Sequence, residues 1–485
     1  MKNILFSITL LTCLMWTSCI DLTETPESIL SPESFYNTES DLQAAIVACY
    51  NPFLNKYEGV DVRSWSMHMG ADDMTSRNGA NKTRLLDPDR FVNSPDNIDN
   101  YKYWTVLYKI IANCNMVIAN YEKVSMDKTK RNQLIAQAFF LRSYAYFCAV
   151  KFWGDIPLIT KPLTTDLYGV RRNSKEKVYE QIIADAKFAE TNLPLIWKEQ
   201  PGAATKGAAK TLLADVYLTM AGWPLKQTEK YADAANKAKE VIDLGLYNLV
   251  DDYKDLYNLG TKNNKEHIWN IQANRELGYD SKFGITFLPP DEHGWSDYVA
   301  EIKFFNNMPD NYRKEVTYYT VFTVKGKPVK WQDGIVGKPY FSKYWDTNEA
   351  RDKKQASGSH LFPVYRYAEV LLIYAEAQNK ISGGPSASCY DAINKIRRRA
   401  NKNIADDAPI GLNELQFDQL VFDEKGWEFA AEQKRWFDLV RKELVEKYNE
   451  GNPDIITTIT KQKYLFPIPS QELDRNPQLG QNPGY

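Results

Sequence analysis

The chain has 485 residues, 44% of them hydrophobic and 25% charged, and its Lys plus Arg (60) nearly balances its Asp plus Glu (62). Such a length can bury a large core and permits two or three domains. The even charge balance leaves no broad basic field of the kind that attracts nucleic acid, so no nucleic-acid partner is expected.

At the amino terminus Met1, Lys2 and Asn3 precede an apolar run from Ile4 to Trp16, and Thr17 and Ser18 stand before Cys19. The run is too short to cross a hydrocarbon core, which takes about 20 helical residues, and it reads as a signal peptide over residues 1–18. A cysteine directly after the cleavage point can be acylated on its thiol and on its freed amine. This is a lipobox arrangement, with Trp16 where a smaller aliphatic residue is more usual; the alternative is an ordinary secreted protein in which Cys19 is incidental. Two or three acyl chains anchor a protein stably where one does not. Residues 19–34, with Pro26 and Pro32 among polar residues, form the tether that follows. No later stretch is apolar for long enough to span a membrane as a helix.

Beyond the tether, helical periodicity dominates two blocks. Leu134, Ala138, Leu141, Ala145, Cys148 and Phe152 recur at three- and four-residue spacing, and Gly154 and Pro157 end that helix. Further helices are predicted over 178–193, over Ala209 to Met220 before Gly222 and Pro224, and over Tyr231 to Ile242 before Gly245. Small residues alternate with aromatic ones where these helices meet, which predicts antiparallel pairs joined by short turns in the manner of tetratricopeptide (TPR) repeats, here degenerate. From about 254 to 358 the periodicity stops and Gly, Pro, Asn and aromatic residues scatter, a loop-rich insertion of a length that is often functional. Helices return at Ala368 to Ala375, Ala392 to Ala400 and Leu415 to Lys447, before an extended carboxyl end from Tyr464 to Tyr485. The expected fold is all-α dominated: TPR-like pairs over about 97–245, the insertion over 254–358 and a C-terminal helical region over 359–485.

The chemistry of catalysis is hard to find. The four histidines, His68, His267, His293 and His360, show no ligand spacing, and Cys49, Cys114, Cys148 and Cys389 form neither a zinc motif nor a disulfide framework. Among apolar residues in the predicted helices, Cys49, Cys114 and Cys148 read as small hydrophobes. Gly202 to Thr211 resembles a phosphate loop only superficially, with two extra residues between Gly207 and Lys210, and reads as a helix start. No metal site, cofactor or nucleophile elbow is expected. The 30 Tyr and 12 Trp include loop segments, Trp65 to Trp104 and Tyr279 to Trp295, in which rings mix with Arg, Asn and Asp. A flat ring covers the apolar face of a sugar while amide, guanidinium and carboxylate groups take its hydroxyls. Core packing competes for every such ring. The candidate ligand residues are Trp65, Asp73, Arg77, Asn78, Phe91, Tyr279, Phe283, Trp295 and Tyr298. Glu428, Glu432, Arg435, Asp438 and Arg441 lie three or four residues apart and are expected to form ion pairs along one helix.

Several blocks in order carry a resemblance to a known family. They are Cys19-Ile-Asp-Leu with Pro26, Ser34-Phe-Tyr and Asp41-Leu; Tyr103-Trp104 with Asn113 and Asn115; Ala138 to Pro157; Thr205 to Lys210; Glu369 to Ala377; Ile393-Asn394 with Arg397 and Arg399; Arg435 to Arg441; and Pro467 through Asn476-Pro to Gln481-Asn-Pro-Gly-Tyr485. Nearly end to end, the chain resembles the SusD/RagB family of surface lipoproteins of Bacteroidota. One departure is Asp423-Glu424-Lys425-Gly426, where the family has a different acidic pattern. The resemblance implies a helical, TPR-like lid on a SusC-like TonB-dependent transporter, held at the outer-membrane surface through acylated Cys19. It implies capture of an oligosaccharide or polysaccharide without catalysis. The alternatives are an oligopeptide-binding lid of the RagB type, a glycoside hydrolase with an unrecognised carboxylate pair, and an architectural adaptor with no soluble ligand.

Overall fold

The computed structural model describes residues 35–58, 64–163, 169–344, 358–402 and 406–485, so Cys19, the leader and the tether lie outside the described residues. Helices dominate. α1 (Glu39–Glu58) and the short α2 (Thr83–Asp89) precede a run of long helices: α3 (Ile98–Asn120), α4 (Lys128–Trp153), α5 (Lys175–Asn192), α6 (Lys206–Ala221) and α7 (Lys230–Asp243). Each packs on the next, and α1 lies against α3.

Local chemistry sets the helix ends. Asn97 accepts hydrogen bonds from the amides of Asp99 and Asn100 at the start of α3, Asp127 accepts from Lys130 at α4, and Thr205 accepts from Ala208 at α6. These side chains satisfy amides that have no intrahelical acceptor. α4 stops at Gly154, whose φ of 70° an L-residue rarely adopts, and Gly207 lies inside the first turn of α6, as a helix start requires. The link from α4 to α5 is longer than the short turn expected, running from Gly154 to Ser174 and bridging Ile156 to Asn173. α4 is buried on nearly every side, including Trp153 and the ion-paired Arg142, because α1, α3 and α5 all pack against it. The cysteines Cys49, Cys114, Cys148 and Cys389 are buried and reduced.

The insertion takes part in small antiparallel ladders that hydrophobic periodicity did not reveal: β1 (Met74–Thr75), which precedes it, with β3 (Val299–Ala300); β2 (His267–Ile271) with β8 (Phe362–Arg366), which follows it; β4 (Tyr318–Tyr319) with β7 (Tyr340–Phe341); and the hairpin of β5 (Val321–Val324) and β6 (Lys327–Lys330). Three short helices lie among them, α8 (Phe283–Phe287), α9 (Ile302–Asn307) and α10 (Tyr312–Thr317). β2 and β8 close the insertion at its base. The C-terminal block then comprises α11 (Tyr367–Ser382), α12 (Ala387–Ala400), α13 (Glu414–Glu428), α14 (Arg435–Arg441), α15 (Val445–Asn449) and α16 (Ser470–Arg475). α11 packs on α7 and joins this block to the first, and the main core draws on residues from Tyr36 to Leu479. Among the described residues no helix is long and apolar enough to cross a membrane.

The expected helix from Leu415 to Lys447 is three helices. It breaks after Glu428, and Ala431 and Gln433 take positive φ values of 58° and 61°. The break changes the ion pairs as well. Glu428 and Glu432 bind cations from other elements, Arg366 and Lys343 among them, and Arg435 binds Asp72 at 2.6 Å. Only Asp438 and Arg441 pair locally, at 2.8 Å. In the departing segment, Glu424 holds Arg313 at 2.6 Å, and the Arg435 guanidinium lies where a Cβ on Gly426 would be.

Candidate functional site

The site is assembled where β1 meets β3. Met74 pairs with Ala300 and Thr75 with Val299, which brings the segment leaving β1 alongside the segment entering β3. Arg77 and Asn78 follow β1, and Trp295 precedes β3. Arg77 Nε donates to the Trp295 carbonyl oxygen at 3.2 Å, tying the two segments together. Asn78 is exposed, and its side-chain oxygen accepts from Arg90 at 2.6 Å.

Arg77, Asn81, Lys82, Gly294 and Trp295 surround a depression of about 220 Å³. Trp295 is half-buried, and Lys82 is buried against the carboxylate of Asp297, which is itself fully buried. The Trp295 loop is held at several points: Trp295 donates its amide to Ile285 at 2.8 Å, Asp297 donates to Thr286 at 2.8 Å, and Ser296 Oγ donates to Leu288 at 2.9 Å. Backbone strain accompanies this fixing, with positive φ at His293 (67°) and Ser296 (47°). The arrangement offers a partly exposed indole, a guanidinium and an amide in one place, groups suited to the face and hydroxyls of a sugar.

The sequence candidates divide three ways. Arg77 and Trp295 line this depression, while Asn78, next to Arg77 in the chain, is exposed and bonded to Arg90 outside its lining. Tyr279, 54% exposed, lines a different groove beside α1. Trp65, Asp73, Phe91, Phe283 and Tyr298 are all buried, a correction to the expectation that they face a ligand. Trp65 is the hub of an aromatic cluster whose rings include Phe283, Tyr298, Tyr344 and Phe362, and its Nε1 donates to the Ala431 carbonyl at 3.1 Å. Phe91 packs against Trp436. These rings sit in polar, aperiodic sequence, where burial leaves no periodic trace and a core ring has the same sequence context as a ligand-facing one. Asn81 and Lys82 were missed, and their only signal is closeness in sequence to Arg77.

Asp73 supports the loop from inside. Its Oδ2 accepts from the Ala431 amide at 2.9 Å, and burial pushes its carboxyl up to about 6. A raised folded-state pKa means the associated stability is complete below the unfolded value near 4 and is lost as pH rises through about 6. Asp73→Asn keeps an acceptor and removes that titration. Its stability relative to wild type should therefore improve by on the order of 2 kcal/mol between pH 4 and pH 7.5. Urea denaturation at both values checks this, and a pH-independent difference would count against it.

Among the described residues no cluster of His, Cys, Asp or Glu is arranged to hold a metal ion.

Taken together, the stacked helix pairs and the clasped loop at their edge define a helical scaffold protein with an open aromatic and polar depression. Residues 259–485 match the model of the SusD family, and residues 22–218 match a model described as starch-binding associating with outer membrane. SusD-like protein P2 of Formosa agariphila is 30% identical over all of this chain and 99% of its own length. A SusD superfamily protein from Parabacteroides distasonis superposes with a TM-score of 0.82 at 26% identity, covering 94% of this chain and all of the other. Surface glycan-binding protein A from Bacteroides thetaiotaomicron, solved in complex with laminarihexaose, superposes with a TM-score of 0.77 at 20% identity, covering 92% and 100%. The chain belongs to the SusD family.

Proposed function

We propose that this protein captures oligosaccharide or polysaccharide at the outer-membrane surface and passes it to a SusC-like TonB-dependent transporter without transforming it. The observation that carries the reading is the depression where Trp295 stands with Arg77, Asn81 and Lys82. The indole offers a stacking face and the Arg77 guanidinium and Asn81 amide offer donors to hydroxyl oxygens, while none of its lining residues is a carboxylate. A glycosidase needs two carboxyl groups flanking the scissile bond. A solved relative in fold binds laminarihexaose, which supports the ligand class. The leader and Cys19 support a lipid-anchored position at the membrane.

Trp295→Ala should weaken binding of the cognate glycan roughly tenfold or more in calorimetry, with the thermal midpoint unchanged. Undiminished affinity, release of new reducing ends from the glycan, or a peptide ligand lost in the same variant would each overturn the reading. Cys19→Ala should yield intact, ligand-competent protein in the soluble fraction and impair uptake by cells. Membrane retention of that variant in fractionated cells would refute the anchor.

A further inference from the structure

A second depression lies on another part of the molecule, between α1, the loop at 200–203 and the end of β2. It holds about 560 Å³, within the usual range for a small-molecule site. Six side-chain amides line it: Gln43, Asn51, Gln137, Gln200, Asn270 and Gln272. Among the described residues no charged side chain lines it. Glu39, one turn before Gln43 on α1, is paired with Lys130 at 2.6 Å. Tyr279 stands at the edge with its ring 54% exposed, and Val47 on α1 is 66% exposed.

Asn270 adds an independent sign of a ligand. It is 4% exposed and donates its amide to Asn263 at 3.2 Å, yet its side-chain oxygen is buried and accepts no hydrogen bond. A buried acceptor is costly to leave unpaired, and this one belongs to a residue in the wall of the groove. We infer that this groove is a second binding site, specific for a neutral oligosaccharide, with Tyr279 stacking on a sugar ring and the amides taking its hydroxyls. Amides donate and accept at once, as hydroxyls do, and so match them in both senses. A groove lined without charged side chains offers no counter-ion to an acidic or basic ligand, which favours an uncharged one. The Trp295 depression differs in this respect, because the Arg77 guanidinium lines it. The inference rests on the reading of the chain as a glycan-capture protein.

The test uses the mature protein with Trp295→Ala, which removes the first site from the measurement. Neutral hexasaccharides (laminari-, cello-, malto- and mannohexaose), oligogalacturonate and a tryptic casein digest are the probes. Calorimetry and hydrogen exchange over 43–54, 200–203 and 270–279 are the readouts. The expected result is millimolar or tighter binding of at least one neutral hexasaccharide with protection of those segments. Tyr279→Ala or Gln200→Ala should then cut that affinity at least tenfold, and Tyr279→Phe, which keeps the ring, should restore it. Absence of protection by every neutral probe overturns the second site, as does protection only by peptides or only by oligogalacturonate. Binding that Trp295→Ala abolishes without any protection of the groove leaves the first site standing and removes the second. Groove binding that survives while Trp295→Ala changes nothing removes the first and keeps the second.

Discussion

Glu428→Ala should destabilise the protein by about 3 to 5 kcal/mol, the cost of removing one partner from a buried ion pair and leaving the others uncompensated. Glu428 is fully buried and meets three guanidinium groups: Arg399 at 2.5 Å, Arg366 at 2.9 Å and Arg313 at 3.0 Å. Around it Glu266, Glu424 and Glu432 join those three arginines and Lys343, so four buried carboxylates face four buried cations where the insertion meets the C-terminal block, with the half-buried Arg397 reaching Glu424 at 3.3 Å. Removing one acid leaves a net positive charge that water cannot reach. Glu428→Gln, which keeps the volume and loses the charge, should cost a similar amount and so separate the electrostatic loss from cavity formation. Arg398→Ala is the contrast, because its pair with Asp407 is solvent-exposed and its loss should barely move the unfolding midpoint. Denaturant unfolding measures all three. A Glu428→Ala loss below about 1 kcal/mol would show that the network is not a stabilising unit.

The same residue fixes a pH dependence. Burial pushes the Glu428 carboxyl up, but the fields of Arg399, Arg366 and Arg313 outweigh it and hold the group well below the usual carboxylate range. A depressed folded-state pKa contributes stability that is present above the unfolded value near 4.5 and is lost as pH falls below it. Asp73 runs the opposite way, losing stability as pH rises from about 4 through about 6. The two groups thus oppose each other on either side of about pH 5.

How much of this was written in the sequence depends on whether burial had a period. The stripe from Leu134 to Phe152 and the stops at Gly154 and Gly222 define α4 and α6 correctly, because a helix with buried neighbours repeats its apolar face. Trp65 and Phe283 follow no such repeat. They reach the core from a loop and a five-residue helix, and only the meeting of distant segments shows that their rings pack on each other. Tyr279 and Trp295 share one sequence segment, yet α8 and the turn after it intervene, and the two rings line different depressions. The charges from Glu428 to Arg441 have helical spacing, which favoured one continuous helix. What that spacing cannot convey is the pull of Arg313, Lys343 and Arg366 from other elements, and these partners occupy Glu428 and Glu432 where the helix breaks.

Gly294→Ala should abolish binding at the Trp295 depression, a larger loss than Trp295→Ala itself, while leaving most of the global stability in place. A Cβ on residue 294 would fall on the backbone carbonyl of Leu288, a rigid group already accepting from the Ser296 amide at 3.2 Å and from Ser296 Oγ at 2.9 Å. Neither side of the contact can yield as a flexible side chain would. The turn must open, and with it goes the hydrogen bond from the Trp295 amide to the Ile285 carbonyl that aims the indole. Gly278→Ala is the control: its φ of 79° imposes a backbone penalty of roughly 1 kcal/mol, but nothing lies within 4 Å of the added carbon. Calorimetry should find no glycan binding at the first site for Gly294→Ala and wild-type affinity there for Gly278→Ala. Hydrogen exchange over 285–297 should rise only in the former. Wild-type affinity in Gly294→Ala would mean that the indole does not need this turn to hold it, and the assignment of the depression as a preformed glycan site would fall.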